Sequence, residues 1–364
     1  AKHEFKEIVG WHDPKQLTPL RREMLLFSQI ATKDAFDEVF VRYARSLRSD
    51  LILGQWNHLG NFNQINGDER CLLPAHLWGR DEDYLWYSTG GAANFTDLAA
   101  KHLGEGTLQA RYIRGAFDNK PFVLGKYEQT RIRTAIAELA ANGGAPMGFY
   151  TRFKDPEARR EIVRYYQFLE KHDALYRGAK PYAEAVLLYP RNRVHQGDVA
   201  AVEKFKELGQ NLLDQRALFD VLPDDSASPE RLAGYRQVWQ VPPAIEPPAA
   251  NLSRFDAPET VRVSASRTTD GRSLVLHFIN YNRKEPMKPR DPGKGIADEQ
   301  PIAVEGIKAN FAVPAGTTAS KAWFLSPEAP EPVRLEVEQE RGRMRFTLPK
   351  FLVYGVVRIE LAAK

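Results

Sequence analysis

Short apolar runs alternate with helical segments through the first half of the sequence, and this alternation constrains the fold more than any other feature. The apolar runs lie at 51–58, 83–88, 121–128 and 145–150. A strongly helical segment, 130–141, ends at Asn142, Gly143 and Gly144, which is typical of a helix C-terminus. Strands that are apolar on both faces and alternate with helices form parallel sheets. The first half is therefore predicted to consist of parallel βα units.

Three further helices are predicted in this half, at 33–48, near 94–102 and at 155–172. The segment 33–48 carries apolar residues at spacings of three and four, from Phe36 to Leu47, which predicts an amphipathic helix.

The sequence changes character near residue 179 and again near residue 248. Between these points, strands are predicted at 183–190, 219–223 and 235–241, with a loop after the first and then a helix at 198–213. A proline-rich joint at 241–248 ends this module, because proline suits neither a helix interior nor a central strand. Short alternating strands follow at regular spacing, which predicts a β-sandwich.

Composition excludes several classes of function. Lys and Arg number 51 and Asp and Glu 47, so the net charge of +4 gives no reason to expect a nucleic-acid partner. No apolar run approaches the roughly 20 residues that cross a bilayer, so no membrane partner is expected. The eight histidines lack metal-ligand spacing, and no cofactor or metal is expected. An esterase or amidotransferase is excluded, because Gly-x-Ser-x-Gly is absent and the single cysteine, Cys71, lies in a predicted loop.

Polar residues collect where the predicted parallel strands end, which is where βα folds usually carry their chemistry. Glu128 closes the otherwise apolar run 121–128, and Asn57, His58, Tyr87 and Arg152 lie at or just beyond the ends of the other runs. A structural reading stays open for Glu128, because an acid just before the helix at 130 also suits the helix dipole.

The order of these regions resembles that of the family 42 glycoside hydrolases of β-galactosidase type. The resemblance rests on 121–130 followed by 137–145, and on 184–190. It implies an α/β plus all-β fold in three parts. These are an incomplete (β/α) TIM-type barrel at 1–178, a small flavodoxin-like, trimerisation-like α/β module at 179–248 and a β-sandwich at 249–364.

The resemblance also implies a retaining glycoside hydrolase that acts on β-linked sugars. Glu128 matches the nucleophile at the end of the seventh barrel strand. The residues implied to line the sugar subsite are Asn57, His58, Trp86, Tyr87, Tyr127 and Arg152. For Trp86 a place in the core is the competing interpretation. A carbohydrate substrate and a homo-oligomer, a trimer in this family, are the implied partners.

The sequence departs from the family in one decisive respect. The acid/base of these enzymes is a Glu in an Asn-Glu pair, and no Asn-Glu occurs in this sequence. Only about 50 residues precede the run that matches the fifth barrel strand, so we expect the C-terminal part of a longer hydrolase. The alternative is a non-catalytic carbohydrate-binding or oligomerisation protein derived from the same scaffold. The sequence leaves the cellular compartment open.

Overall fold

The structure, a computed structural model, describes residues 19–54, 56–58, 81–88, 96–98, 102–126, 132–148, 156–195, 198–241, 248–284 and 300–363. They form a parallel α/β layer, a second small parallel sheet and a two-sheet β-sandwich. Among these residues, no helix combines the length and the apolar composition needed to span a membrane.

The first half contains a four-stranded parallel sheet, as the alternation of strands and helices predicts. In chain order its elements are α1 (Pro19–Phe36), a π-helical segment (Asp37–Tyr43), α2 (Ala44–Leu47), β1 (Trp56–His58), β2 (Leu85–Ser88), β3 (Thr96–Asp97), β4 (His102–Leu103), α3 (Glu105–Ala116), β5 (Phe122–Lys126), α4 (Ile132–Ala141), β6 (Ala145–Gly148) and α5 (Pro156–Lys171). The sheet order is β1-β2-β5-β6, with every pairing parallel.

One prediction in this half is wrong, and another is confirmed only in part. In the described part of 94–102, the residues of β3 and His102 of β4 form a short antiparallel pair of strands in place of the expected helix. The strand expected over 51–58 is confirmed only at 56–58. The backbone N–H of Leu53 donates to a carboxylate oxygen of Asp83 at 2.6 Å. It therefore bonds to a side chain and not to the backbone of a neighbouring strand.

Helix α3 lies in a stretch where the sequence predicts no helix. Its residues 106–114 are all buried, including Gln109, Arg111 and Arg114. A helix that is covered on every side has no polar stripe, so the usual alternation of faces is absent from its sequence. Because α3 is buried on all sides, its sequence lacks the amphipathic pattern from which a helix is usually predicted.

The middle module is a three-stranded parallel sheet, with strand order β10-β8-β9. Its elements, with the short strand that precedes them, are β7 (Lys180–Pro181), β8 (Ala185–Tyr189), α6 (Arg191–His195), α7 (Val199–Asp214), β9 (Phe219–Pro223), α8 (Pro229–Leu232) and β10 (Gln237–Trp239). Asp198 caps α7, because its carboxylate accepts the backbone N–H of Ala201 at 3.1 Å. The three predicted strands and the long helix are confirmed, whereas α6 occupies a predicted loop.

The C-terminal part is a sandwich of a four-stranded and a six-stranded sheet. Its strands are β11 (Arg254–Asp256), β12 (Val261–Arg267), β13 (Ser273–Asn280), β14 (Arg283–Lys284), β15 (Gln300–Pro301), β16 (Lys308–Ala312), β17 (Thr317–Leu325), β18 (Val333–Leu335), β19 (Glu338–Glu340), β20 (Arg343–Thr347) and β21 (Tyr354–Ala363). The two sheet orders are β11-β16-β20-β19 and β18-β17-β21-β13-β12-β7.

The central strand β13 shows how the parts are joined. Leu274, Leu276 and Phe278 pack into the core between the two sheets of the sandwich. Val275 and Ile279 point the other way, into a second core that α4 and α5 complete. Because successive strand residues face opposite sides, both faces of the six-stranded sheet are covered.

A third core joins the first sheet to the middle module. The Tyr189 ring of β8 packs edge-on against Tyr112 of α3, with centroids 4.6 Å apart, and against Phe205 of α7 at 5.0 Å. The same buried cluster extends from Leu85 to Leu252. The divisions at 178/179 and 248/249 stay predictions, and continuous apolar packing crosses both.

Candidate functional site

The candidate site is the edge of the first sheet at which its parallel strands end. His58 of β1 pairs with Ser88 of β2, and Ser88 pairs with Gly125 of β5. One residue further along β5, Lys126 pairs with Gly148, the last residue of β6. The four strand ends are therefore level with one another.

The two faces of this sheet differ in burial. Leu85 and Leu124 are fully buried in the core with α3. Trp86 and Val123, each one residue away, pair with each other across β2 and β5 and are only partly buried. Trp86 therefore lies on the sheet face opposite α3, which is the face that would turn inward if the sheet closed into a barrel.

The structure locates the predicted site residues to different extents. Asn57, His58 and Tyr87 lie within strands at this edge, where Asn57 pairs with Tyr87. Trp86 is one residue back along β2. Glu128, Tyr127 and Arg152 lie outside the described residues. All seven assignments of function remain predictions.

A polar groove of about 830 Å³ lies at the other end of the same strands. It is lined by residues that precede β2 and β5, together with side chains of the middle module. Arg45 and Asp83 form an ion pair there at 2.9 Å. The backbone N–H of Leu53, and secondarily Arg45, lower the pKa of Asp83. Because this groove is at the amino ends of the strands, it is opposite the candidate site.

A buried carboxylate that sequence reasoning missed lies beneath the sheet, on α4. One carboxylate oxygen of Glu138 accepts three hydrogen bonds. The donors are the Thr107 backbone N–H at 2.9 Å, the Thr107 hydroxyl at 3.1 Å and the Tyr281 hydroxyl at 2.8 Å. Glu138 has no exposed surface. The group ties α3 and α4 to the chain just after β13, and its burial fits a structural role. A single acid within the alanine-rich run 132–141 was the available signal.

A second buried network continues from this carboxylate towards β12. Arg111 donates to the Val263 carbonyl at 3.0 Å and to the Ser264 hydroxyl at 3.2 Å. Ser264 in turn donates to Asn142 at 2.9 Å. Burial, and next the charge of Arg114, lower the pKa of Arg111 to about 9. These contacts hold the sandwich against the helices that support the candidate site.

His277 is the centre of a third polar chain, on β13. Its Nδ1 lies 2.8 Å from the Tyr354 hydroxyl, and its Nε2 lies 3.1 Å from the Ser266 hydroxyl. Burial lowers the pKa of His277 to about 3, with a smaller contribution from Arg114. A histidine with so low a pKa is neutral at physiological pH and is a weak base, so the Ser266–His277 pair fits a structural role better than nucleophilic catalysis.

Among the described residues, no group of three or more His, Cys, Asp or Glu side chains is arranged to hold a metal ion. The expectation that the protein needs no metal or cofactor stays a prediction, because parts of the candidate edge lie outside those residues.

No protein-family model matches this chain, and no curated protein sequence matches it either. Several solved structures are similar. The α-L-fucosidase isoenzyme 2 of Paenibacillus thiaminolyticus matches with a TM-score of 0.48 and 11% identity, over 72% of this chain and 63% of the fucosidase. A rhamnosidase of Novosphingobium sp. PP1Y matches with a TM-score of 0.44 and 10% identity, over 80% of this chain and 36% of its own.

A family 44 glycoside hydrolase endoglucanase of Clostridium acetobutylium has a TM-score of 0.35 and 8% identity, over 93% of this chain and 61% of its own. The chain thus spans less than two thirds of each of these relatives. All three TM-scores are below 0.5, so these similarities do not decide the family of the chain.

Proposed function

We propose that this chain belongs to a retaining glycoside hydrolase that acts on β-linked sugars, with Glu128 as the nucleophile. One observation carries the proposal. Glu128 follows β5 by two residues, and the end of β5 is level with the ends of β1, β2 and β6. In parallel βα folds the residues that follow level strand ends carry the chemistry, and this supports a carboxylate role for Glu128 in a sugar subsite.

The remaining roles in this proposal belong to the same edge. Asn57, His58, Tyr87, Tyr127 and Arg152 would hold sugar hydroxyls, and Trp86, on the face opposite α3, would offer an apolar surface. The acid/base would come from outside this sequence, because no Asn-Glu pair occurs in it. Arrangement as a homo-oligomer, with a trimer as the specific form, is part of the proposal.

The reaction can be tested without an acid/base. In a 2,4-dinitrophenyl 2-fluoroglycoside, a Glu128 carboxylate oxygen attacks C1 while the C1–O bond breaks, and dinitrophenolate leaves with the electron pair. Because this leaving group departs without protonation, the step needs only the nucleophile. We expect one equivalent of dinitrophenolate per chain and a covalent adduct on Glu128.

The measurement combines absorbance of released dinitrophenolate with peptide mapping, over a panel of β-galactoside, β-glucoside, α-L-fucoside and α-L-arabinofuranoside probes. The matched control is Glu203→Gln on α7, whose side chain is 65% exposed and far along the chain from the candidate edge. Glu128→Gln should abolish labelling and Glu203→Gln should preserve it. Labelling that survives Glu128→Gln would refute the assignment of the nucleophile.

The second candidate is a non-catalytic carbohydrate-binding protein on the same scaffold. The missing Asn-Glu pair is the observation that favours it. Sugar binding that is detected by calorimetry, together with no adduct from any probe, would support this candidate instead of the hydrolase.

A further inference from the structure

An open groove of about 880 Å³ runs across the outer face of the four-stranded sandwich sheet β11-β16-β20-β19. Arg254 of β11 pairs with Asn310 of β16, and Asn310 pairs with Arg345 of β20. Lys308 is two residues from Asn310, hence on the same face, and it pairs with Asp256. The segment 333–338 forms one wall.

Positive charge is concentrated at one end of this groove. Arg343 donates to the Asn310 side chain at 2.5 Å and to its carbonyl at 2.8 Å, which fixes the guanidinium beside the groove. Burial is the main cause that lowers the pKa of Arg343. Glu184 raises this pKa, and three neighbouring positive charges lower it further. Those neighbours are Arg236, Arg254 and Arg345.

The acidic side chains of the groove offset only part of this charge. Arg254, Lys308, Arg334 and Arg345 are the basic side chains that line the groove, and Asp256, Glu336 and Glu338 are the acidic ones. Asp256 is opposite Lys308, and Arg345 forms an ion pair with Glu340 at 3.4 Å. Arg254 is exposed and, within the described part of the chain, takes part in no ion pair. Positive charge is densest near Arg254, because Arg254, Arg236 and Arg345 all lie close enough to Arg343 to lower its pKa. A guanidinium is well suited to bind a carboxylate through two hydrogen bonds.

The lining of the groove also excludes a stacking platform. Phe346 is the one aromatic side chain among the described residues that line it, and only 5% of its surface is exposed. A neutral sugar usually needs an exposed ring against which to pack. The groove instead offers charged and hydrogen-bonding groups, among which Asp256, Asn310 and Thr347 carry acceptors for sugar hydroxyls.

From this geometry we infer that the groove binds an acidic oligosaccharide, with a uronic-acid carboxylate at Arg254. The choice of a saccharide rests on the proposed function, whereas the choice of an anion rests on the groove itself. The surface would hold a polymeric substrate while the edge of the parallel sheet acts elsewhere on it.

The test is calorimetric titration of the full chain with a trigalacturonate and with its methyl ester, in which each carboxylate is replaced by an uncharged ester group. We expect the acid to bind, the ester to bind at least tenfold more weakly, and the affinity for the acid to fall as salt is added. Arg254→Ala should weaken binding of the acid about tenfold or more. The control, Arg272→Ala, removes another exposed arginine of the sandwich and should leave binding unchanged. Thermal unfolding of both variants checks that they fold.

Three results would overturn the inference: equal binding of acid and ester, unchanged binding by Arg254→Ala, or equally tight binding of single-stranded DNA, which would show general attraction of polyanions. Labelling of Glu128 by the 2-fluoroglycoside probes separates this inference from the proposed function. If no glycoside labels Glu128 but the acid binds at Arg254, the proposed nucleophile fails and the groove assignment stands. If Glu128 is labelled and the acid does not bind, the reverse holds.

Discussion

At the scale of the residue, Glu138 shows how one side chain can hold two helices to a strand. Its carboxylate accepts hydrogen bonds from the Thr107 backbone N–H, the Thr107 hydroxyl and the Tyr281 hydroxyl, and its side chain is fully buried. Leaving buried donors without an acceptor costs more free energy than an ordinary hydrogen bond contributes.

We therefore expect Glu138→Ala to lower the free energy of unfolding by about 3 kcal/mol, as measured by urea denaturation. Glu203→Ala, on the exposed surface of α7, is the control and should change it by less than about 0.5 kcal/mol. If the two variants lose equal stability, the network does not have the role given to it here.

His277 makes the stability of the protein depend on pH. In the unfolded chain a histidine protonates near pH 6.5, whereas the buried His277 has a pKa of about 3. Between these values the unfolded state binds more protons, so acid favours unfolding. The stabilisation is complete above about pH 6.5 and is lost as the pH falls towards 3.

We expect this loss to be about 1.4 kcal/mol per pH unit, relative to His277→Gln, which keeps hydrogen-bonding groups but does not titrate. Urea denaturation of both proteins between pH 6 and pH 4 measures the difference, and carboxylates common to the two proteins cancel. Parallel curves for the two proteins would contradict the assignment.

At the scale of the element, α3 depends on a close approach to β9. A Cβ placed on Gly115 would be 1.7 Å from the Val221 carbonyl oxygen, which is backbone and cannot move aside without displacing the strand. Only a residue without a side chain allows this helix and this strand to pack together.

We expect Gly115→Ala to lower the free energy of unfolding by about 3 kcal/mol. Gly234→Ala, at a position with no atom within 4 Å of the added Cβ, is the matched control and should be neutral or slightly stabilising. Thermal and urea unfolding measure both changes. A mild effect at Gly115 would mean that α3 is farther from β9 than described.

Prediction from sequence was most accurate for elements with one clear pattern. Strand β9 begins and ends at the predicted residues, 219 and 223, because this short apolar run is closed by Pro223 and two aspartates. Helix α3 was missed because it is buried on every side, and the helix expected near 94–102 was wrong because local periodicity there does not reflect the strand pairing that forms.

At the scale of the whole molecule, the sandwich and the helices behind the first sheet share one core. Residues of α4 and α5 pack on the face of β13 that lies opposite the sandwich interior. Tyr281, which follows β13, donates to Glu138 of α4 at 2.8 Å. Neither part can lose its structure without exposing apolar surface of the other.

Tyr281→Phe should therefore destabilise both parts together. Hydrogen exchange followed by mass spectrometry should show peptides of α4 and of β13 exchanging about fivefold faster, and by the same factor. The exposed Tyr166→Phe on α5 is the control and should leave both rates unchanged. Faster exchange in α4 alone would show that the two parts open independently.

By itself, the sequence determined the four parallel strands of the first half, the long helices α4, α5 and α7, the α/β-then-β order, and Glu128 as the acid that follows an apolar run. These follow from local periodicity and from residue types over a few turns of chain. Only the tertiary structure decided that β7 joins the edge of the sandwich sheet, that Glu138 is buried between three elements, and that three arginines meet beside Arg343. Such features depend on contacts between residues far apart in sequence, and local pattern carries no information about which distant surface covers a given face.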